Sequence, residues 1–172
     1  MKKLFLSFLF FFCLVGLVYS YGSGTSNFTW LQSSDQAANQ GRLEFVWVTN
    51  SGATGGATGV VPKFVVDSIK GSYLITVVTK PASTTTITGS GVILATTPSA
   101  YNLTVIDEYG ADVLGGVGAG RSATLTEQVT PAVGALYGPR PISGNLTITI
   151  TSGGSAGSGT AILYFYNKAK GF

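Results

Sequence analysis

Three acidic residues near the middle of the chain form its closest group of side chains that could do chemistry. Asp107 and Glu108 are adjacent, and Asp112 follows after residues 109–111, which include a glycine. Oxygen ligands gathered around a turn can hold Ca²⁺, so these three are the candidate metal ligands. The segment lacks the alternating acidic spacing of a dedicated calcium loop, and its composition is typical of a solvated hairpin turn. We therefore favour a turn, with calcium binding as the alternative.

The composition removes most of the usual catalytic machinery. The chain contains no histidine, and its single cysteine, Cys13, lies in the first twenty residues. The commonest general base, the thiolate nucleophile and the main zinc ligands are therefore missing from the rest of the chain. A glycosidase needs two facing carboxylates, but the adjacent Asp107 and Glu108 would point to opposite faces of a strand. The sequence predicts a non-enzymatic protein with no catalytic residue or cofactor, and a hydrolase with two carboxylates from different strands is the least favoured alternative.

Glycine-rich segments are predicted to form loops at three places, namely residues 52–59, 115–121 and 153–159. Segment 115–121 superficially suggests a phosphate-binding loop. It lacks the lysine and hydroxyl residue of a P-loop, however, and it leads into strand-like sequence instead of a helix. We interpret it as a mobile surface loop, and 153–159 as a long hairpin connection.

The chain begins with the pattern of an export signal. A basic start, Met1 to Lys3, precedes an apolar run over residues 4–18. The short side chain of Ser20 fits cleavage of the chain between residues 20 and 21. The apolar run is shorter than the roughly 20 residues that cross a bilayer, so residues 1–20 are predicted to be a signal peptide. An uncleaved anchor helix is the alternative, and it would be the chain's one membrane contact.

Charge is scarce in the rest of the chain. Removing residues 1–20 takes away Lys2 and Lys3, which leaves eight Lys and Arg residues against seven Asp and Glu residues. Such a near-neutral chain lacks the concentrated positive face that nucleic acid requires. A surface that is polar mainly through hydroxyl and backbone groups costs little to desolvate. We therefore expect the protein to pack against copies of itself or other subunits.

Short apolar and β-branched runs, separated by Gly, Pro, Ser or Asn, predict an all-β protein. No helical period is evident outside residues 1–20, and residues 21–41 are interpreted as a flexible arm or short edge strand. Residues 42–172 are predicted to form a single β-sandwich of the jelly-roll or immunoglobulin-like type. Residues 160–166 are apolar on both faces, which favours a central strand over an interface strand. The predicted strands are 42–49, 63–69, 73–79, 91–95, 101–107, 123–129, 145–151 and 160–166.

Four stretches in the C-terminal half are distinctive, namely 101–116 (YNLTVIDEYGADVLGG), 118–122 (GAGRS), 144–147 (GNLT) and 157–164 (GSGTAILY). They resemble a group of small β-rich proteins encoded among the structural genes of tailed bacteriophages. The resemblance implies a virion or capsid-accessory role.

Two functions of different classes are compatible with these features. The leading hypothesis is a structural assembly protein, a virion decoration or surface-coat subunit, that associates with itself or with other coat or capsid subunits. The alternative is a secreted or cell-surface binding module that recognises carbohydrate or protein through the three glycine-rich loops. Both place the protein outside the cell or on the virion surface.

Overall fold

The computed structural model describes residues 24–32, 40–50, 54–82, 85–88, 92–95 and 97–167. The predicted signal peptide, residues 1–20, lies outside these residues. The described chain is predominantly antiparallel β-structure with one short helix, α1 Lys63–Ile69. The strands are β1 Gly24–Gln32, β2 Gln40–Thr49, β3 Ala57–Val60, β4 Tyr73–Pro81, β5 Thr85–Thr88, β6 Val92–Ala95, β7 Asn102–Asp107, β8 Glu127–Val129, β9 Ala132–Val133, β10 Leu136–Tyr137, β11 Arg140–Pro141, β12 Leu146–Thr151 and β13 Ser158–Tyr166.

The larger sheet has the strand order β1-β2-β13-β4, and β8 and β11 both pair with β4. The C-terminal strand β13 therefore lies between two long neighbours. Leu163 and Phe165 are buried in the core, while Ile162 on the opposite face is also only 5% exposed. The prediction of a central strand is confirmed, because β13 pairs with β2 along one edge and with β4 along the other.

The smaller sheet has the order β3-β12-β7. Beyond β7, an irregular segment continues the hydrogen bonding. The Val113 N–H donates to the Val105 carbonyl at 2.7 Å, and the Leu103 N–H donates to the Gly118 carbonyl at 2.8 Å. Residues 112–121 thus cover the outer edge of β7, which would otherwise expose unpaired backbone groups. The pairs β5–β6 and β9–β10 form separate two-stranded sheets.

Both sheets contribute to one hydrophobic core. In β2 the buried residues Leu43, Phe45 and Trp47 alternate with half-buried Arg42 and Glu44, which confirms the predicted period of two. Burial of each such side chain contributes about 1.5–3 kcal/mol. Other members of the core are Leu74, Val77, Leu163 and Phe165 from the larger sheet, Leu103, Val105, Leu146, Ile148 and Ile150 from the smaller sheet, and Val65, Val66 and Ile69 from the helix.

The prediction of a strand over residues 63–69 is wrong, because this segment is the helix α1. Val65, Val66 and Ile69 are buried at helical spacing on one face of α1. The β-branched residues suggested a strand, but this spacing places them together in the core, and tertiary burial overrides the weak local preference. The statement that no helical period exists outside residues 1–20 is corrected for the same reason.

Several boundaries also differ from the prediction. Residues 24–32, which fall in the predicted arm, form β1 and pair with β2 along its whole length, as an edge strand. Of the predicted strand 123–129, only Glu127–Val129 is a strand. Part of the predicted loop 52–59 belongs to β3. Segment 153–159 is not a hairpin connection, because β12 and β13 belong to different sheets and the chain crosses between them here.

Candidate functional site

The acidic turn after β7 uses its carboxylates to hold the backbone. The Asp107 carboxylate accepts hydrogen bonds from the N–H groups of Tyr109 and Ala111, both at 2.9 Å. This is the geometry of an Asx turn, in which the side chain replaces a backbone acceptor. The Glu108 carboxylate is directed toward Tyr109 and raises the pKa of its hydroxyl. Asp107 therefore holds the backbone of the turn, and Glu108 interacts with the Tyr109 side chain.

Asp112 joins three parts of the backbone. Its Oδ1 accepts hydrogen bonds from the N–H groups of Val105 and Leu114, both at 3.1 Å, and its Oδ2 accepts one from Gly116 at 2.8 Å. The residues that the structure describes include no group of three His, Cys, Asp or Glu side chains that could hold a metal ion. The geometry of the candidate calcium ligands is thus that of a backbone-stabilising turn.

The glycine-rich segment 115–121 lies at the surface, as predicted, and parts of it pack closely against the domain. A Cβ at Gly118 would collide with the Leu103 carbonyl, and one at Gly115 would collide with the Ala132 carbonyl. Glycine is required at these two positions because the backbones approach each other closely. The Asn102 side chain also accepts a hydrogen bond from the Gly120 N–H at 2.8 Å.

The other two predicted loops pack against each other through their backbones. The Gly153 N–H donates to the Gly55 carbonyl at 2.9 Å. The Thr49 hydroxyl donates to the Gly154 carbonyl at 2.6 Å and lies 3.2 Å from the Gly157 carbonyl. The absence of side chains here allows close packing. These described parts of 52–59 and 153–159 therefore stabilise the domain.

One glycine-rich segment also lines a groove. The groove has a volume of about 500 Å³ and lies between segment 116–121, strand β8 and Tyr137 of β10. This volume falls within the roughly 300–1,000 Å³ of small-molecule sites. Its lining residues are Gly116, Val117, Ala119, Arg121, Gln128, Val129, Thr130 and Tyr137. They come from three separate parts of the chain, so sequence reasoning identified only the segment that contains Arg121.

The charge within this groove is balanced and held in place. The Arg121 guanidinium donates from Nε and Nη2 to the Ala119 carbonyl at 3.2 and 2.9 Å. Its Nη1 lies 3.8 Å from Glu127 Oε2, and the same Glu127 oxygen accepts a hydrogen bond from the Ser122 N–H at 2.6 Å. The Arg121 side chain is only 16% exposed. The groove consequently carries a fixed, paired cation.

A short hairpin beside the groove exposes large apolar side chains. We call residues 132–137 the apolar hairpin; it consists of β9, a tight turn and β10, and Gly134 adopts a positive φ of 57°. Val133 and Leu136 lie opposite each other and are 60% and 78% exposed. Tyr137 lies opposite buried Ala132 and is 73% exposed. Val133 and Leu136 thus share the outer face, while Tyr137 lies on the groove side.

Sequence reasoning missed the apolar hairpin. Its signal was available, because residues 130–139 contain two prolines and two glycines around an apolar run and no charged residue. Each strand contains only two residues, however, and such a short run shows no period. The hairpin is anchored at its base, where Arg140 donates to the Ala132 carbonyl at 3.1 Å and the Ala132 N–H donates to the Leu114 carbonyl at 3.0 Å.

Comparison of the chain with protein-family models, with curated proteins and with solved structures finds no match. Within the described residues, no helix combines the length and the hydropathy that crossing a bilayer requires. The groove and the apolar hairpin are the two surfaces of the described chain that bear on its function.

Proposed function

We propose that this protein is a non-enzymatic assembly protein, a virion decoration or surface-coat subunit, and that it associates with copies of itself through the apolar hairpin. The observation that carries the proposal is the exposure of Val133 and Leu136 on the outer face of one short, uncharged projection. Exposed apolar side chains grouped in this way mark interaction surfaces. The resemblance to phage structural proteins supports the same role.

A second copy is the partner that fits this surface best. Residues 130–139 contain no charged side chain, so two hairpins can meet without desolvating an ionised group. Strands β9 and β10 pair only with each other among the described strands. At β9 the Ala132 N–H and carbonyl are already hydrogen-bonded to Leu114 and Arg140. The outer edge of β10 is therefore the one that can take part in antiparallel pairing across a two-fold axis, where the same patch serves both copies.

The size of the hairpin predicts weak pairwise contact. The exposed parts of Val133 and Leu136 amount to on the order of 200 Å², well below the ~800 Å² per partner of a standard stable interface. One such contact supports transient association in solution. A coat multiplies weak contacts over many subunits, and multivalency then supplies the stability.

The association is tested by sedimentation equilibrium over a wide range of protein concentration. We expect the average mass of the wild type to rise with concentration, and the double variant Val133→Thr/Leu136→Thr to remain monomeric. Phe64→Ser is the matched control, because Phe64 is 66% exposed on α1. A wild type that stays monomeric at every concentration, or a hairpin variant that associates like the wild type, would contradict the proposal.

We also infer that the two sheets form a single β-sandwich of the jelly-roll or immunoglobulin-like type. Inward side chains of both sheets share one core. On one side, the Ser26 hydroxyl of β1 donates to the Thr58 carbonyl of β3 at 3.3 Å. On the other side, the chain passes from the edge of β7 to β8, which pairs with β4. These links favour two facing sheets closed at both sides.

Export and a virion-surface or extracellular location remain part of the proposal, and they depend on residues 1–20, which carry the signal-peptide pattern. Mass spectrometry of native material tests this part. We expect a mature N-terminus at Tyr21 in purified particles or culture medium. A full-length chain retained inside cells would contradict export.

A second candidate function, a secreted or cell-surface module that binds carbohydrate or protein, is favoured by the groove. Of the three glycine-rich segments, residues 115–121 supply part of the groove wall, and the described parts of the other two are packed against each other. A ligand would therefore contact one glycine-rich segment together with β8 and Tyr137.

A further inference from the structure

We propose that the groove between segment 116–121, β8 and Tyr137 is a binding site for an uncharged saccharide. The proposal deepens the second candidate function, on which it rests, and it assigns the ligand class and the contacting residues. Three properties of the groove carry it, namely an exposed aromatic ring, unpaired neutral polar side chains and a balanced charge.

Tyr137 supplies the apolar contact. It lies on the groove side of the apolar hairpin, and 73% of it is exposed. A sugar ring has one face rich in C–H groups, and an aromatic ring with two rotatable side-chain bonds offers a flat surface at low entropic cost. Tyr137 is therefore placed to stack against a sugar that enters the groove.

Another part of the groove lining is built from small residues. Gly116 has a positive φ of 86°, and a Cβ built there would meet no atom within 4 Å. Ala119 is exposed and carries only a methyl group. A flat ligand can consequently approach the backbone here.

Two polar residues of the lining have the chemistry of hydroxyl recognition. The Gln128 amide both donates and accepts hydrogen bonds, and so does the Thr130 hydroxyl. Neither side chain has a hydrogen-bond partner within the part of the chain that the structure describes. A ligand with several hydroxyl groups can satisfy both.

The electrostatics favour an uncharged ligand over an anion. Arg121 is the only charged residue among those lining the groove, and its guanidinium is directed to the Ala119 carbonyl and to Glu127. A phosphate or carboxylate ligand would have to compete with Glu127 for the Arg121 guanidinium. It would also approach the Glu127 carboxylate, which accepts a backbone hydrogen bond and carries the same negative charge. A neutral hydroxyl meets no such opposition, and a remaining guanidinium N–H can donate to it.

Saturation-transfer difference NMR on the purified protein tests this inference. The probes are glucose, galactose and N-acetylglucosamine, and the β1,4-linked and α1,4-linked trisaccharides of glucose, each at millimolar concentration. We expect transfer to at least one neutral probe. Tyr137→Ala should weaken that binding at least about tenfold, the effect of losing one aromatic contact. Ala119→Phe should abolish it, because the new ring fills the groove while Tyr137 stays intact.

The control is Val133→Thr/Leu136→Thr, which changes the opposite face of the apolar hairpin and should leave saccharide binding unchanged. Absence of transfer to every neutral probe would overturn the inference. So would binding that survives both Tyr137→Ala and Ala119→Phe, or a preference for a sulfated glucose oligosaccharide over its neutral form. These failures would leave the assembly proposal standing, because sedimentation of the hairpin variant tests that proposal separately.

Discussion

Replacing Asp112 should destabilise this protein far more than replacing Asp107, although both residues belong to one acidic turn. Asp112 accepts hydrogen bonds from three N–H groups that belong to β7 and to the segment that covers its edge. Asp107 accepts two, from Tyr109 and Ala111 within its own turn. Loss of Asp112 therefore releases an edge of the smaller sheet, whereas loss of Asp107 loosens a local bend.

The magnitude follows from the burial of these amides. A hydrogen bond to a charged acceptor is worth about 1.5–3 kcal/mol, and less where water can replace it. Two of the bonds to Asp112 are partly buried and the third is exposed, so Asp112→Ala should cost about 3 kcal/mol. Asp112→Asn retains Oδ1 as an acceptor and should cost about 1 kcal/mol. Asp107→Ala, which loses two exposed bonds, should also cost about 1 kcal/mol.

Urea unfolding followed by tryptophan fluorescence measures these differences, since Trp47 is fully buried in the core. For a chain of this size, 3 kcal/mol corresponds to a fall in melting temperature of roughly 6–12 °C. Equal losses for Asp112→Ala and Asp107→Ala would refute the reasoning. Stabilisation of the wild type by millimolar Ca²⁺, lost in Asp112→Asn, would show that the turn is a metal site instead.

Two further substitutions test the interior. Burial raises the pKa of Tyr101 above its ordinary value of about 10. The folded state therefore holds the hydroxyl proton more tightly than the unfolded state, and the free energy of unfolding should fall as the pH rises above about 10. Tyr101→Phe should reduce that loss of stability at alkaline pH and leave stability at neutral pH nearly unchanged, because the buried hydroxyl has no partner of normal hydrogen-bond geometry. The prediction would be contradicted if the urea midpoints of both proteins fell by the same amount between about pH 8 and pH 11. Gly118→Ala should cost at least about 3 kcal/mol, because the new Cβ collides with the Leu103 carbonyl and the hydrogen bond from the Leu103 N–H to the Gly118 carbonyl is lost. Gly116→Ala, in open space at positive φ, should cost about 1–2 kcal/mol in the same urea assay.

Local sequence pattern predicted two kinds of strand, namely those with one apolar and one polar face and those with two apolar faces. The alternation over residues 42–49 identified β2, and the doubly apolar run 160–166 identified the central strand β13. These predictions succeeded because a strand's side chains alternate between its faces at every residue. The helix α1 was missed because its seven residues show too little of a 3.6-residue period to outweigh their β-branched content.

The amino-acid sequence by itself determined the β-rich class and the lack of the usual catalytic residues, since strand pattern and composition are local properties. It also placed Asp107 and Asp112 at a turn. Only the tertiary structure decided at which positions a close backbone contact requires glycine. It alone also brought Gly116, Gln128 and Tyr137 together to line one groove. Such a groove exists only after segments distant in the chain pack together, and the exposed face of the apolar hairpin likewise depends on what the rest of the fold leaves uncovered.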